Sequence, residues 1–218
     1  MKALVVGASG GIGRALAAEL GARGHEVVPL SRSENGFDIT DEDSVARHLS
    51  RLGPIETVVV ATGALAPEGQ GPEKSLRALD AQAMARVLAV NTIGPAMVLK
   101  HALPLLPRDR RTVVAVLSAR VGSIGDNATG GWYSYRASKA ALNQILRSAA
   151  IELARSHPKA LCVALHPGTV ATPFTASFPR PGKLTPEEAA GRLLDVLDAL
   201  GPAQTGGFFD SAGLPVPW

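Results

Sequence analysis

Apolar runs of four to six residues alternate along this chain with longer segments whose apolar positions recur at helical spacing. The runs are Ala3–Val6, Val27–Leu30, Thr57–Ala61, Thr112–Leu117 and Leu161–Leu165, with Gly207–Asp210 as a late edge strand. They are rich in Val, Leu and Ala and lack strict alternation, as strands buried on both faces do. The intervening patterns predict helices at 11–23, 41–51, 81–106, 135–156 and 186–200. Asp41 with Ser44, and Thr185 with Pro186 and Glu188, give start signals, and Gly201-Pro202 gives a stop. Strand and helix alternating in this way predict an α/β fold, a doubly wound parallel sheet with helices on both faces.

The 218 residues correspond to about one and a half average domains. No linker of low complexity and no fixed-period repeat divides them, so a single domain over 1–218 is expected. The stretches 63–72 and 173–183, rich in Pro and Gly, read as loops on the carboxyl side of strands, where open α/β sheets bind ligands. Hydrophobic residues make up 46%, aromatic residues 4% and the net charge is +3, a balance that argues against disorder, a membrane span or a nucleic-acid track. The densest basic cluster, Arg108, Arg110 and Arg111, contains Asp109 and reads as a solvated turn. Cys162 is the one cysteine, and the start of the chain lacks the apolar core of a signal peptide. A reducing cytoplasm is the expected compartment.

Chemistry enters at the first strand–helix junction, Val5-Val6-Gly7-Ala8-Ser9-Gly10-Gly11-Ile12-Gly13-Arg14. Glycines at 7, 11 and 13 let the backbone turn sharply and approach a pyrophosphate, whose charge then meets free N–H groups at a helix N-terminus. The second strand ends in Leu30-Ser31-Arg32. An acidic residue there binds the ribose 2′-hydroxyl of NAD. Arg32 pairs instead with a 2′-phosphate, so NADP(H) is expected over NAD(H).

Downstream, Trp132-Tyr133-Ser134-Tyr135-Arg136-Ala137-Ser138-Lys139 opens a helix. Tyr135 and Lys139 stand at i and i+4 and project from one face. A phenol of pKa near 10 lies about three units above neutrality, or roughly 4 kcal/mol, and a nearby ammonium narrows that gap. The pair can exchange a proton with a substrate oxygen while hydride moves at carbon. The five histidines have no ligand spacing and predict no metal site.

With these motifs in order, the chain resembles the short-chain dehydrogenase/reductase family over nearly its whole length, which implies a Rossmann-like fold. The cofactor turn supplies Gly7, Ser9, Gly11, Ile12 and Gly13; Asp38 in Phe37-Asp38-Ile39 resembles the acidic residue that touches adenine, and Gly63 the glycine after the family's fourth strand. Asn91 in Val90-Asn91-Thr92-Ile93-Gly94 is similar to the helix asparagine that holds a water in the proton relay. Ser118, Tyr135 and Lys139 follow, then His166-Pro167-Gly168-Thr169-Val170-Ala171-Thr172. There the resemblance implies that Pro167, Gly168, Val170 and Thr172 hold the nicotinamide end. The run Ser118-Ala119-Arg120-Val121-Gly122-Ser123-Ile124 with Gly130-Gly131-Trp132 looks most like the branch of C-factor and sniffer-like carbonyl reductases.

The resemblance implies a carbonyl reductase with Tyr135 as general acid, Lys139 on the cofactor ribose, Ser118 on the carbonyl and Asn91 in the relay. A homodimer or homotetramer is expected through the outer faces of helices 81–106 and 135–156, with loop 173–184, carrying Phe174, Phe178, Pro179 and Pro181, as a substrate lid. A weakly active nucleotide-binding sensor is the rival reading. Three departures stand out: Val6 for the usual Thr, Val60-Ala61-Thr62-Gly63 for Asn-Asn-Ala-Gly, and Ala119 at the usual place of the catalytic serine, three residues before Gly122. Ser118, Ser123 or Tyr135 alone then polarises the carbonyl, with Ser118 preferred.

Overall fold

The computed structural model describes residues 1–67, 69–177 and 181–218. Six strands form one parallel sheet in the order β2-β1-β3-β4-β5-β6. They are β1 (Lys2–Val6), β2 (Glu26–Leu30), β3 (Thr57–Val60), β4 (Thr112–Leu117), β5 (Ala160–His166) and β6 (Phe208–Asp210). The pleat divides each run between two cores. Leu4, Val58, Val114 and Cys162 face one, with Val45 and Leu49 of α3 (Glu42–Leu49), Val98 of α5 (Gly94–Ala102) and Leu142 and Leu146 of α6 (Tyr133–Ser156). Val5, Val59, Ala115 and Val163 face the other, with Leu16 and Leu20 of α1 (Gly11–Ala22) and Leu193 and Leu197 of α7 (Pro186–Ala199). Strands β3 and β4 in the middle are buried at every position because both their faces are covered. Strand β2 is at the edge, where Pro29, with no N–H to give, is tolerated.

Two expectations about the chain between β2 and β3 need correction. Arg32 does not end a strand; it opens a four-residue helix, α2 (Arg32–Asn35), capped by Ser31 and closed by Gly36 at φ 67°. No strand lies between α2 and β3, so Phe37-Asp38-Ile39 is irregular and Gly63 follows the third strand of this sheet, not a fourth. The expected helix 81–106 is continuous but not uniform: α4 (Ala81–Leu88) passes into a π turn at Ala89–Ile93 before α5. Pro95, which cannot donate to the carbonyl of Asn91 and crowds it, accounts for the widened turn. Of the start signals, Asp41 caps α3 by accepting from Asp43 N at 3.0 Å, while Ser44 Oγ accepts instead from Asp38 N at 3.1 Å, and Thr185 and Glu188 form a capping box.

From β1 the chain moves outward to β2 and then returns past β1 to β3. The crevice beyond the carboxyl ends of β1 and β3 is the switch point at which such sheets take ligands. No helix among the described residues is long and apolar enough to cross a membrane.

Candidate active site

A groove of about 760 Å³ opens at this crevice, lined by Gly7, Ser9, Arg32, Asp38, Gly63 and Arg86 among others. It continues across Ala61, Thr62 and Gly63 into a slot of about 140 Å³ lined by Ile12, Ser118, Tyr135, Lys139, Pro167, Gly168, Val170 and Thr172. Beyond Ala119 and Tyr135 lies a third space of about 490 Å³. Residues spread from position 7 to 175 thus share one continuous cleft.

The glycines act through what they lack. A Cβ on Gly13 would stand 2.1 Å from the carbonyl oxygen of Gly7, and one on Gly11 would stand 2.7 Å from Thr172 Cγ2. Gly7 itself has φ 87° and would meet Thr62 at 2.9 Å. Gly7 N and Ala8 N donate to Leu30 O at 2.8 and 3.2 Å, which pins the turn to β2. No side chain caps α1, so its first N–H groups remain available to an anion. Thr62 Oγ1, on the wall shared by groove and slot, is buried without a hydrogen-bond partner. A cradle emptied of side chains, exposed amides and an orphaned hydroxyl fit a dinucleotide's phosphates and amide.

At the far end, Arg32 and Asp38 share the groove wall. The Asp38 carboxyl is held below the usual carboxylate range, chiefly by the hydroxyl and N–H of Thr40 and to a lesser degree by Arg32. In the slot, Lys139 is 2% exposed and donates from Nζ to Leu117 O at 2.8 Å; burial pushes its pKa down to about 8. Its Nζ lies 6.0 Å from the centre of the Tyr135 ring. The buried Tyr135 phenol is pushed above its ordinary value by desolvation, the reverse of the lowering expected from a neighbouring ammonium.

Asn91 is fully buried on the π turn, beneath the cleft-lining Gly63. It exchanges a pair of 2.8 Å bonds with the backbone of Ala64 and donates to Ser138 Oγ at 2.9 Å. A Cβ on Gly63 would sit 3.7 Å from Asn91 Oδ1 and 3.8 Å from Lys139 Nζ, so both face that glycine. Ser118 lines the slot, yet its hydroxyl donates to Asn143 Oδ1 at 2.6 Å, while Ala119 lines both slot and third cavity. Strand alternation explains this: Ser118 continues the face of Val114 and Val116, which packs on α6. Ser123 is 1% exposed and its Oγ accepts from Asp126 N at 3.1 Å, outside the slot.

The loop after Thr172 is closed at its base, where Ala171 N donates to Leu184 O and Leu184 N to Thr169 O. Phe174 and Thr175 from it line the slot and the third cavity. Of its expected lid residues, Phe178 and Pro179 lie outside the described residues. Thr62 and Arg86 were not expected among the lining residues. Arg86 carries no sequence signal, since it sits on α4, outside the motifs.

Comparison with known proteins agrees with this cleft. Residues 1–181 match the short chain dehydrogenase family. The 1-hydroxy-2-glutathionyl-2-methyl-3-butene dehydrogenase of Rhodococcus sp. strain AD45 is 33% identical, covering 99% of this chain and 98% of its own. The C-signal of Myxococcus xanthus is 35% identical over 76% of this chain and 94% of its own. Among solved structures, a chain described as a short-chain dehydrogenase/reductase of Burkholderia multivorans with bound NADP superposes with a TM-score of 0.86 at 29% identity, covering 100% and 99% of the two chains. The carbonyl reductase Sniffer of D. melanogaster gives 0.82 at 25% identity, again over 100% and 99%. A match across 181 residues, with relatives aligned almost end to end, leaves one assignment: the chain belongs to the short chain dehydrogenase family and is an NAD(P)-dependent oxidoreductase of its carbonyl-reductase branch.

Proposed function

We propose that the enzyme interconverts a carbonyl and an alcohol with NADP(H), Tyr135 exchanging the proton. The observation that carries this is the meeting of Tyr135 and Lys139, one helical turn apart on α6, with the Pro167–Thr172 segment in a slot that opens from the glycine groove. Gly7, Ser9, Gly11, Ile12, Gly13 and Gly63 form the cradle for the dinucleotide, Asp38 meets its adenine and Arg32 its 2′-phosphate. Pro167, Gly168, Val170 and Thr172 hold the nicotinamide. When bound, NADPH supplies the hydride that reaches the carbonyl carbon.

In reduction Tyr135 Oη gives its proton to the carbonyl oxygen, and in oxidation it takes one back. Burial that raises the phenol pKa keeps it protonated at neutral pH and suits it to the donor role. Lys139 orients the ribose and supplies charge beside the phenol; Asn91 fixes the Ala64 backbone and shares Gly63 with Lys139. The expected part for Ser118 shifts: with its hydroxyl given to Asn143, it positions α6 against β4, and Tyr135 alone meets the carbonyl oxygen.

The protein is read as one domain over 1–218 with a short lid at 173–184, working in a reducing cytoplasm on a small molecule. Assembly as a homodimer or homotetramer is supported by Ile93 and Ile151, 54% and 47% exposed on the long helices. Sedimentation as a monomer would remove that part. Loss of NADPH absorbance with a panel of aldehydes and ketones tests the reaction. Tight NADPH binding without turnover would favour the sensor reading, to which Ala119 in place of a serine gives its support.

A further inference from the structure

The third cavity borders the place where the backbone departs furthest from ordinary geometry. Gly130, Gly131 and Trp132 have φ of 64°, 64° and 54° in succession. Glycine takes this region freely, but a bulky aromatic there is a rare outlier that persists only where its surroundings enforce it. Two grips do so. Trp132 N donates to Glu73 O at 2.5 Å, while Ser134 gives its N–H to Glu73 Oε2 at 3.3 Å and its hydroxyl to Glu73 Oε1. Arg136 Nε donates to Gly130 O and Gly131 O at 3.2 and 3.0 Å. Trp132 supplies no capping side chain to α6, so Glu73, from a loop 61 positions earlier than Ser134, provides the acceptors that the helix start lacks.

The grips set the indole beside the reacting phenol. The Trp132 and Tyr135 ring centres are 6.3 Å apart at 66°, and Phe174 meets Tyr135 at 5.9 Å and 57°. Trp132, Phe174, Leu65, Val121 and Ala119 make the cavity wall chiefly apolar. Its two arginines are already engaged: Arg120 with Asp126 and Asp210, Arg136 with the Gly130, Gly131 and Val121 carbonyls and Thr129 Oγ1. An anionic substrate tail would have to displace these partners, whereas a flat neutral one meets aromatic faces.

We propose that Trp132 is a specificity-determining residue, a wall against which an uncharged aryl group attached to the substrate carbonyl packs, and that Glu73 is the positioning residue that holds it. This rests on the carbonyl–alcohol reading. The test compares NADPH-dependent reduction of an aryl methyl ketone and a linear aliphatic ketone by wild type, Trp132→Ala, Trp132→Phe and Glu73→Ala, with NADPH affinity measured by calorimetry. Trp132→Ala is expected to lower kcat/KM for the aryl ketone by about tenfold or more and for the aliphatic ketone by less than about threefold. Trp132→Phe keeps the ratio, Glu73→Ala shifts it in the same direction, and NADPH affinity stays within about twofold throughout. Equal losses on both ketones, or an aryl-to-aliphatic ratio unmoved by Trp132→Ala, would overturn the proposal while leaving the carbonyl reading intact. A wild type that binds NADPH but reduces neither ketone would overturn both.

Discussion

Ser118 gives its hydroxyl proton to Asn143 Oδ1 at 2.6 Å, both side chains being buried, while its neighbour Ala119 faces the cleft. The bond joins β4 to α6, the helix that carries Tyr135 and Lys139. Ser118→Ala should therefore cost about 1–3 kcal/mol of stability by leaving the amide unsatisfied, and change turnover of the folded enzyme by less than about threefold. Ala119→Ser should do the opposite, raising kcat by about tenfold, short of the hundredfold or more of a fully aligned donor. Urea titrations with steady-state rates decide this. A folded Ser118→Ala enzyme without turnover would return the carbonyl to Ser118.

Arg32 lies at the end of the groove with Asp38, on a helix too short to order itself without Ser31 and Gly36. Arg32→Asp removes the cation proposed for the 2′-phosphate and places two carboxylates on one wall. NADPH affinity should fall by about 10- to 100-fold, the equivalent of one lost charge-assisted contact, and NADH affinity by far less. Calorimetric titration of both nucleotides checks it; equal losses would mean that Arg32 serves the fold and not the phosphate.

The long periodic segments and the middle strands were legible because the determinants of both are local: buried-on-both-faces strands advertise themselves as runs of Val and Ala, and α7 announces its capping box. The order of the motifs likewise brought Gly7, Tyr135, Lys139 and Thr172 into one cleft. What stayed hidden depends on partners far along the chain. The start of α6 at Tyr133 instead of 135 is set by Glu73, and no residue near Trp132 signals a cap. The π turn needed Pro95 to be weighed as a break inside a helix that otherwise reads as uniform. The raised Tyr135 pKa follows from burial, which spacing on a helix does not reveal.

Lys139 offers a pH signature in stability. Its folded pKa is about 8 against an ordinary 10.5, so the unfolded chain binds more protons between those values, and stability rises with pH across that window. Below about pH 8 the buried ammonium destabilises the fold by an amount on the order of 3 kcal/mol, and the deficit fades toward pH 10. Lys139→Met has no such proton to lose. The difference in unfolding free energy between wild type and Lys139→Met should therefore move in favour of wild type from pH 8 to pH 10, measured by urea titration at each pH; a difference that stays constant would contradict the shift.

Two glycines on α1 separate steric necessity from mere tolerance. At Gly13 a Cβ would stand 2.1 Å from Gly7 O and 3.2 Å from Ala8 Cα, both backbone, so the phosphate turn itself must move. At Gly21, eight residues on in the same helix, a Cβ meets nothing within 4 Å. Gly21→Ala should stabilise the protein by about 0.5–1 kcal/mol through reduced unfolded-state freedom and better helix propensity, with NADPH affinity unchanged. Gly13→Ala should destabilise it by about 3 kcal/mol or more and weaken NADPH binding, because the overpacked contact cannot be relieved by a rotamer change. Thermal melts with and without NADPH read both effects: the ligand-induced rise in Tm should survive in Gly21→Ala and shrink in Gly13→Ala. An undiminished rise in Gly13→Ala would show that the turn can shift without losing its grip on the cofactor, and would detach the glycine spacing from the binding of phosphate.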